Sequence, residues 1–167
     1  MNLIVNVTPD WGIGRENGLL VALPSDLRRF RELTTGKVVI LGRKTLATFP
    51  GGRPLKNRVN IVLSADPDFT AGDAVVAHSQ DELFEKLRGY PRESLCVVGG
   101  ASIYALLLDY CDTAQITKTY VNLVADRFLP DLDRLPNWEI RRTSELQAEN
   151  GLQFQFIDYV NLSPRRF

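Results

Sequence analysis

Lys37-Val38-Val39-Ile40-Leu41-Gly42-Arg43-Lys44-Thr45 sets an unbroken apolar run directly before a glycine and two cations. The run is too short for a buried helix, and its β-branched residues favour a strand. A strand that is apolar at every position belongs inside a parallel sheet with both faces covered. A short helix is expected from Arg43. The pattern returns at Leu95-Cys96-Val97-Val98-Gly99-Gly100-Ala101-Ser102, where a second apolar strand ends in a glycine pair and a helix is expected over Ser102 to Leu108.

Outward from this pair, Leu3 to Val7, Val59 to Leu63 and Ala74 to Ala77 read as further strands. A helix opens near Pro24 and Ser25 and carries Leu27, Phe30 and Leu33 at helical spacing. Another opens at Ser79, where Glu82 completes a capping box, and runs through Leu87. Beyond Leu108 the helices stop. Ala114 to Val121, Trp138 to Thr143 and Leu152 to Val160 read as strands, the last two flanking Ala148-Glu149-Asn150-Gly151 in a connection longer than a minimal hairpin. Strand–helix alternation followed by strands predicts an α/β fold: a mostly parallel sheet covered by helices, with antiparallel strands at one edge. The segment Thr8 to Leu23, with Pro9, Gly12, Gly14 and Gly18, is predicted as a long loop, a length that marks functional loops in compact domains.

A chain of 167 residues suits one domain, 1–167. Twenty basic and twenty acidic residues balance, so no global field draws the protein to nucleic acid or an anionic membrane, and any anion must meet a local cluster. Met1 to Asn6 has no basic region or cleavage pattern and reads as a first strand, and no apolar run spans a bilayer. A cytoplasmic, soluble protein is expected. Cys96 and Cys111 are expected as buried free thiols. With His78 as the single histidine and no CxxC, no metal site is expected. His78 itself reads as a surface residue.

Three constellations carry chemistry. The two strand-to-helix junctions suit phosphate: Arg43, Lys44 and Thr45 stand in the first turn of a helix, where cations oppose the dipole unless an anion joins them. Gly99-Gly100 lets backbone approach a pyrophosphate closely. The competing readings are solvated side chains and a tight turn. Asp26, at a helix start beside Leu27 and Phe30, is either a dipole partner or a desolvated carboxylate with a raised pKa, suited to proton-coupled chemistry or to a cationic ring. Arg58, near Arg53-Pro54-Leu55, reads as a carboxylate clamp or as a solvated arginine.

Taken in order, these segments closely resemble the dihydrofolate reductase family. Ile13-Gly14-Arg15-Glu16-Asn17 matches its mobile active-site loop, and Leu23-Pro24-Ser25-Asp26-Leu27 through Phe30 its substrate helix. Leu41-Gly42-Arg43-Lys44-Thr45 and Val98-Gly99-Gly100-Ala101 resemble its two cofactor turns. Arg53-Pro54-Leu55, Arg58 to Ser64, Ile116-Thr117 and Asp126 to Pro130 also fit, so the resemblance spans residues 2 to 160.

The resemblance implies an eight-stranded, mostly parallel mixed sheet with about four helices. It also implies an NADPH-dependent oxidoreductase that reduces dihydrofolate to tetrahydrofolate for one-carbon metabolism. Asp26 would hold the pterin and support protonation, assisted by Thr117. Val5, Asn6, Leu27, Phe30, Phe49, Leu55 and Val98 would form the substrate pocket, and Arg58 would bind the glutamate α-carboxylate. Arg43, Lys44, Thr45 and Ser64, with Gly42 and Leu63, would bind the adenosine end of NADPH and its 2′-phosphate. Gly99, Gly100, Ala101, Ser102 and Ile103 would contact the pyrophosphate, while Ile13, Gly14 and Leu19 would cover the nicotinamide. Tyr104 would approach both ligands. The implied partners are dihydrofolate and antifolate inhibitors, with the protein a monomer.

Two departures stand out. Leu20-Val21 replaces the family's usual Pro-Trp, which puts the proton route in question, and Asn6 replaces a small alanine where substrate and nicotinamide meet. A pyrimidine reductase of riboflavin synthesis shares this fold, but the LPSDL segment and the IGRENG loop argue against it. An NADPH- or folate-binding homologue without catalysis is the other alternative.

Overall fold

Both apolar runs lie side by side in the middle of one sheet. The computed structural model describes residues 1–167. The chain passes through β1 (Asn2–Val7), β2 (Gly12–Arg15), β3 (Gly18–Leu19), α1 (Pro24–Thr34), β4 (Val38–Gly42), α2 (Arg43–Thr48), β5 (Val59–Leu63) and β6 (Val75–Ala77). It continues through α3 (Gln80–Arg88), β7 (Leu95–Gly99), α4 (Ala101–Leu107), β8 (Thr113–Thr119), β9 (Arg127–Phe128), β10 (Trp138–Thr143), β11 (Gln147–Glu149) and β12 (Leu152–Asn161). The main sheet has the order β10-β12-β8-β1-β7-β4-β5-β6, with β11 added alongside β12. From β8 through β6 every pairing is parallel, and β12 pairs antiparallel with β8, β10 and β11.

Side chains alternate across the central strands because the strand period is two. Leu3, Val38, Ile40, Ile61, Leu95 and Val97 join one core, with Leu83, Leu87, Ile103 and Leu107 from α3 and α4. Ile4, Val39, Leu41, Val62, Cys96 and Val98 face the other way and meet Leu46 of α2 with Phe30 and Leu33 of α1. Covering both faces is what lets these strands be apolar throughout. Cys96 and Cys111 are buried free thiols, as expected.

Two expectations need correction. Thr8 to Leu23 is not one loop: β2 and β3 form a hairpin, and β2 also pairs with β9. Its turn residues, Glu16 and Asn17, hold positive φ without glycine, and the Asn17-Gly18 pair lies one position past the turn centre. The connection from β10 to β12 is longer than a minimal hairpin, as expected, and it contains β11, which pairs Glu149 with Leu152 across a tight Asn150-Gly151 turn. His78 is half-buried, its ring Nδ1 3.0 Å from the carbonyl oxygen of Ser64. In α3, Ser79 caps Glu82 N–H, whereas the Glu82 carboxylate accepts from the backbone N–H of His78 at 2.8 Å.

Candidate active site

The first turn of α1 is held from far along the chain. Leu23, the residue before the helix, offers no side-chain cap, and Pro24 opens it. Glu149 of β11 supplies the acceptor instead, taking the Ser25 backbone N–H at 2.9 Å and the Ser25 hydroxyl at 2.5 Å. Those two bonds hold the Glu149 carboxyl below its ordinary pKa, the hydroxyl contributing most. Asp26 follows directly.

Its carboxylate turns toward β1 and β8. Oδ1 accepts from the Thr117 hydroxyl at 2.5 Å, and Oδ2 lies 3.4 Å from the Asn6 amide nitrogen. Burial pushes the Asp26 carboxyl above its usual pKa, while the Thr117 and Asn6 hydrogen bonds and the charge of Arg29 oppose the rise. Tyr104 is buried beside it, donating to the carbonyl of Ile4 at 2.8 Å, and burial drives its phenol well upward. Leu27 remains half exposed next to Asp26, an apolar surface that no protein group covers.

One cleft of about 1050 Å³ runs from this carboxylate to the ends of β4 and β7. Val5, Asn6, Leu27, Phe30, Phe49, Leu55, Arg58, Val98 and Tyr104 line it, as do Ile13, Gly14 and Leu19. So do Gly42 to Thr45, Leu63, Ser64 and Gly99 to Ile103. Thr117 alone of the expected residues lies beneath the wall, against Asp26. Arg58 donates to Thr34 Oγ1 and to the Lys56 carbonyl and takes part in no ion pair. Burial, then the like charge of Arg31, lowers its pKa. Two unpaired guanidiniums at the cleft rim suit an anionic group.

The opposite end is a cradle made by glycine. A Cβ on Gly42 would meet Ile103 Cγ1 at 3.2 Å, and one on Gly100 would meet Thr45 Oγ1 at 3.1 Å. Gly99 has φ +129, a conformation that side-chain-bearing residues rarely adopt. The two junctions therefore interlock, each helix start packing on the other's glycine. Neither α2 nor α4 has a side-chain cap, which leaves first-turn N–H groups for an anion. Arg43 stands half exposed, 3.5 Å from Asp66.

A family model for dihydrofolate reductase matches residues 1–161. The chain belongs to the dihydrofolate reductase family. It is 34% identical over 149 residues to the dihydrofolate reductase of Bacillus subtilis, covering 88% of this chain and 86% of that one. To the dihydrofolate reductase of Neisseria meningitidis serogroup B it is 31% identical over 160 residues, covering 96% and 97%. A dihydrofolate reductase from Enterococcus faecalis, complexed with NADP(H) and RAB-propyl, superposes with a TM-score of 0.84 at 30% identity, covering 96% of this chain and 95% of that one.

Within the dihydrofolate reductase framework, sequence reasoning missed Glu149, Thr119, Asp66 and His78. Asp66 and His78 line the cradle end of the cleft. None of these residues sits in a motif. A signal existed only for His78, which stands just before the Ser79 cap. At the departure Leu20-Val21, Leu20 packs toward Gly12, while Val21 lines the cleft.

Proposed function

We propose that this member of the dihydrofolate reductase family transfers hydride from NADPH to 7,8-dihydrofolate in this cleft, working as a soluble, cytoplasmic, one-domain monomer. One observation carries the reading: a single cleft joins a half-buried carboxylate, braced by Thr117, to a glycine-lined cradle flanked by Arg43 and Lys44. No helix is long and apolar enough to cross a membrane.

The cradle fits the cofactor. Gly99 to Ile103 would hold its pyrophosphate, and Arg43, Lys44, Thr45 and Ser64 its 2′-phosphate end, with Gly42 and Leu63 beneath. NADPH, when bound, supplies the hydride. Ile13, Gly14 and Leu19 shield the reacting face from water. Val5, Asn6, Leu27, Phe30, Phe49, Leu55, Val98 and Tyr104 enclose the pterin, and Arg58 takes the glutamate α-carboxylate, aided by the like-charged Arg31. Asp26 pairs with the protonated ring and stabilises positive charge as the imine nitrogen gains its proton. Val21 is apolar and offers no hydrogen bond to a water, so solvent entering past it delivers that proton under the field of Asp26. Antifolates that present a cationic ring would meet the same carboxylate.

The test is NADPH oxidation followed at fixed pH with dihydrofolate and with a ribosylamino-pyrimidine as separate substrates. Turnover with dihydrofolate alone is expected. Turnover with the pyrimidine alone, or with neither, overturns the reading.

A further inference from the structure

Asp26 is supported unequally at its two carboxylate oxygens. Oδ1 takes the Thr117 hydroxyl at 2.5 Å, whereas Oδ2 has the Asn6 amide at 3.4 Å. Asn6 is itself held, since its Oδ1 accepts from the hydroxyl of Thr119 at 2.8 Å, and Thr119 is fully buried. Strand geometry builds this arrangement. Asn6 pairs with Thr117 in the parallel β1–β8 register, and Thr119, two positions on, faces the same side of β8.

An amide has one donor end and one acceptor end. Reversing Asn6 would press its carbonyl oxygen against an ionised carboxylate oxygen, so the anion selects the orientation with nitrogen toward Asp26. With Asp26 protonated the reversed amide becomes competent: the acid O–H donates to Asn6 Oδ1, and the amide N–H donates to the Thr119 oxygen. The bond to the anion is charge-assisted and the stronger of the two. We propose that Asn6, oriented by Thr119, is a positioning residue that clamps Asp26 Oδ2 and favours the ionised carboxylate in the cleft. This rests on the reading of Asp26 as the carboxylate that faces the substrate.

Most of the other charged groups nearby have their own partners, Arg31 and Arg58 being the exceptions. Arg29 of α1 pairs with Asp158 of β12 at 2.7 Å and lies over the Phe156 ring. Tyr104 of α4 is bonded to the Ile4 carbonyl, and Glu149 of β11, near Arg28, to Ser25. Arg31 and Arg58 lie along the cleft rim. Lys118 of β8 sits over the Trp11 ring and beside Asp133. Arg29 also favours the anion, and it is untouched by the substitutions below.

The experiment follows the Asp26 carboxyl by carbon NMR in ligand-free protein across pH, for the parent, Asn6→Ala, Thr119→Val and Thr119→Ser. The Asp26 titration is expected to move to higher pH in Asn6→Ala and Thr119→Val and to return to the parental midpoint in Thr119→Ser. In the parent, the Asn6 side-chain amide resonances should move with that same midpoint. The pH profile of kcat/KM for dihydrofolate should shift in the same direction. If Thr119→Val does not fold, Asn6→Ala and the parental amide signals decide. An Asp26 titration unmoved in Asn6→Ala overturns the clamp, even in a fully active enzyme. An Asn6-dependent titration in a parent that does not turn over dihydrofolate keeps the clamp and overturns the proposed activity instead.

Discussion

Removing the charge from Asp26 separates two consequences of its burial. Asp26→Asn keeps the shape but not the anion, so turnover of dihydrofolate at pH 7 should fall by ~100-fold or more, within the usual range for acid–base groups. NADPH binding should survive, because the cradle lies at the other end of the cleft. Stability should move the opposite way. The folded Asp26 pKa is raised above the unfolded value, so between the two the folded state binds more protons. The parent therefore loses stability as pH rises through that window, and the loss persists above it. Asp26→Asn should be more stable than the parent at neutral pH and lose that advantage in acid, as read by denaturant unfolding at several pH values. Parental turnover in the variant would reduce Asp26 to a helix-start residue. Arg43 and Lys44 give a second test at this scale. Each charge-assisted bond to a 2′-phosphate contributes ~1.5–3 kcal/mol, so replacing both with alanine should erase the preference for NADPH over NADH. Comparing kcat/KM for both cofactors reads this directly, and a parent with equal values would refute it.

At the scale of elements, α1 depends on a residue that sequence proximity does not suggest. Glu149 holds Ser25 through two bonds, so α1 is tied to the β11–β12 hairpin. Because the folded pKa of Glu149 is depressed, its contribution is present above the unfolded value and is lost as pH falls through the folded one. Glu149→Ala should speed amide exchange in the first turn of α1 and raise the KM for dihydrofolate more than that for NADPH. Exchange unchanged at Ser25 and Asp26 would show that Pro24 and the packing of Phe30 and Leu33 hold the turn unaided. The β2–β3 hairpin is pinned in a comparable way. Asp126 accepts from the Glu16 backbone N–H at 2.9 Å, and its own N–H donates to the Gly14 carbonyl at 3.0 Å. These bonds steady a turn whose residues are in left-handed backbone conformations that glycine would adopt more easily.

For the whole molecule, a ligand that binds only the folded state adds stability by mass action. NADPH at a hundred times its Kd should add about 2.7 kcal/mol, raising Tm by roughly 5–10 °C for a chain of this size. The Arg43 and Lys44 alanine variant should lose most of that shift without a change in its ligand-free Tm, and thermal scans with and without NADPH measure both. What the sequence determined is what local chemistry determines. Apolar runs at Val38 to Leu41 and Leu95 to Val98 read as central strands, the glycines after them as strand-to-helix junctions, and Pro24 with Asp26 marked a helix start. The family followed from the order of these pieces. What only the tertiary structure decided are the contacts that sheet register makes between residues far apart in the chain. The register of β1 on β8 puts Asn6 against Asp26 and Thr119, and the β11–β12 hairpin brings Glu149 to Ser25. The pairing of β2 with β9 turns an apparent loop into a sheet. Periodicity and propensity describe a segment's own backbone and faces, so they carry no information about which distant side chain will complete its hydrogen bonds.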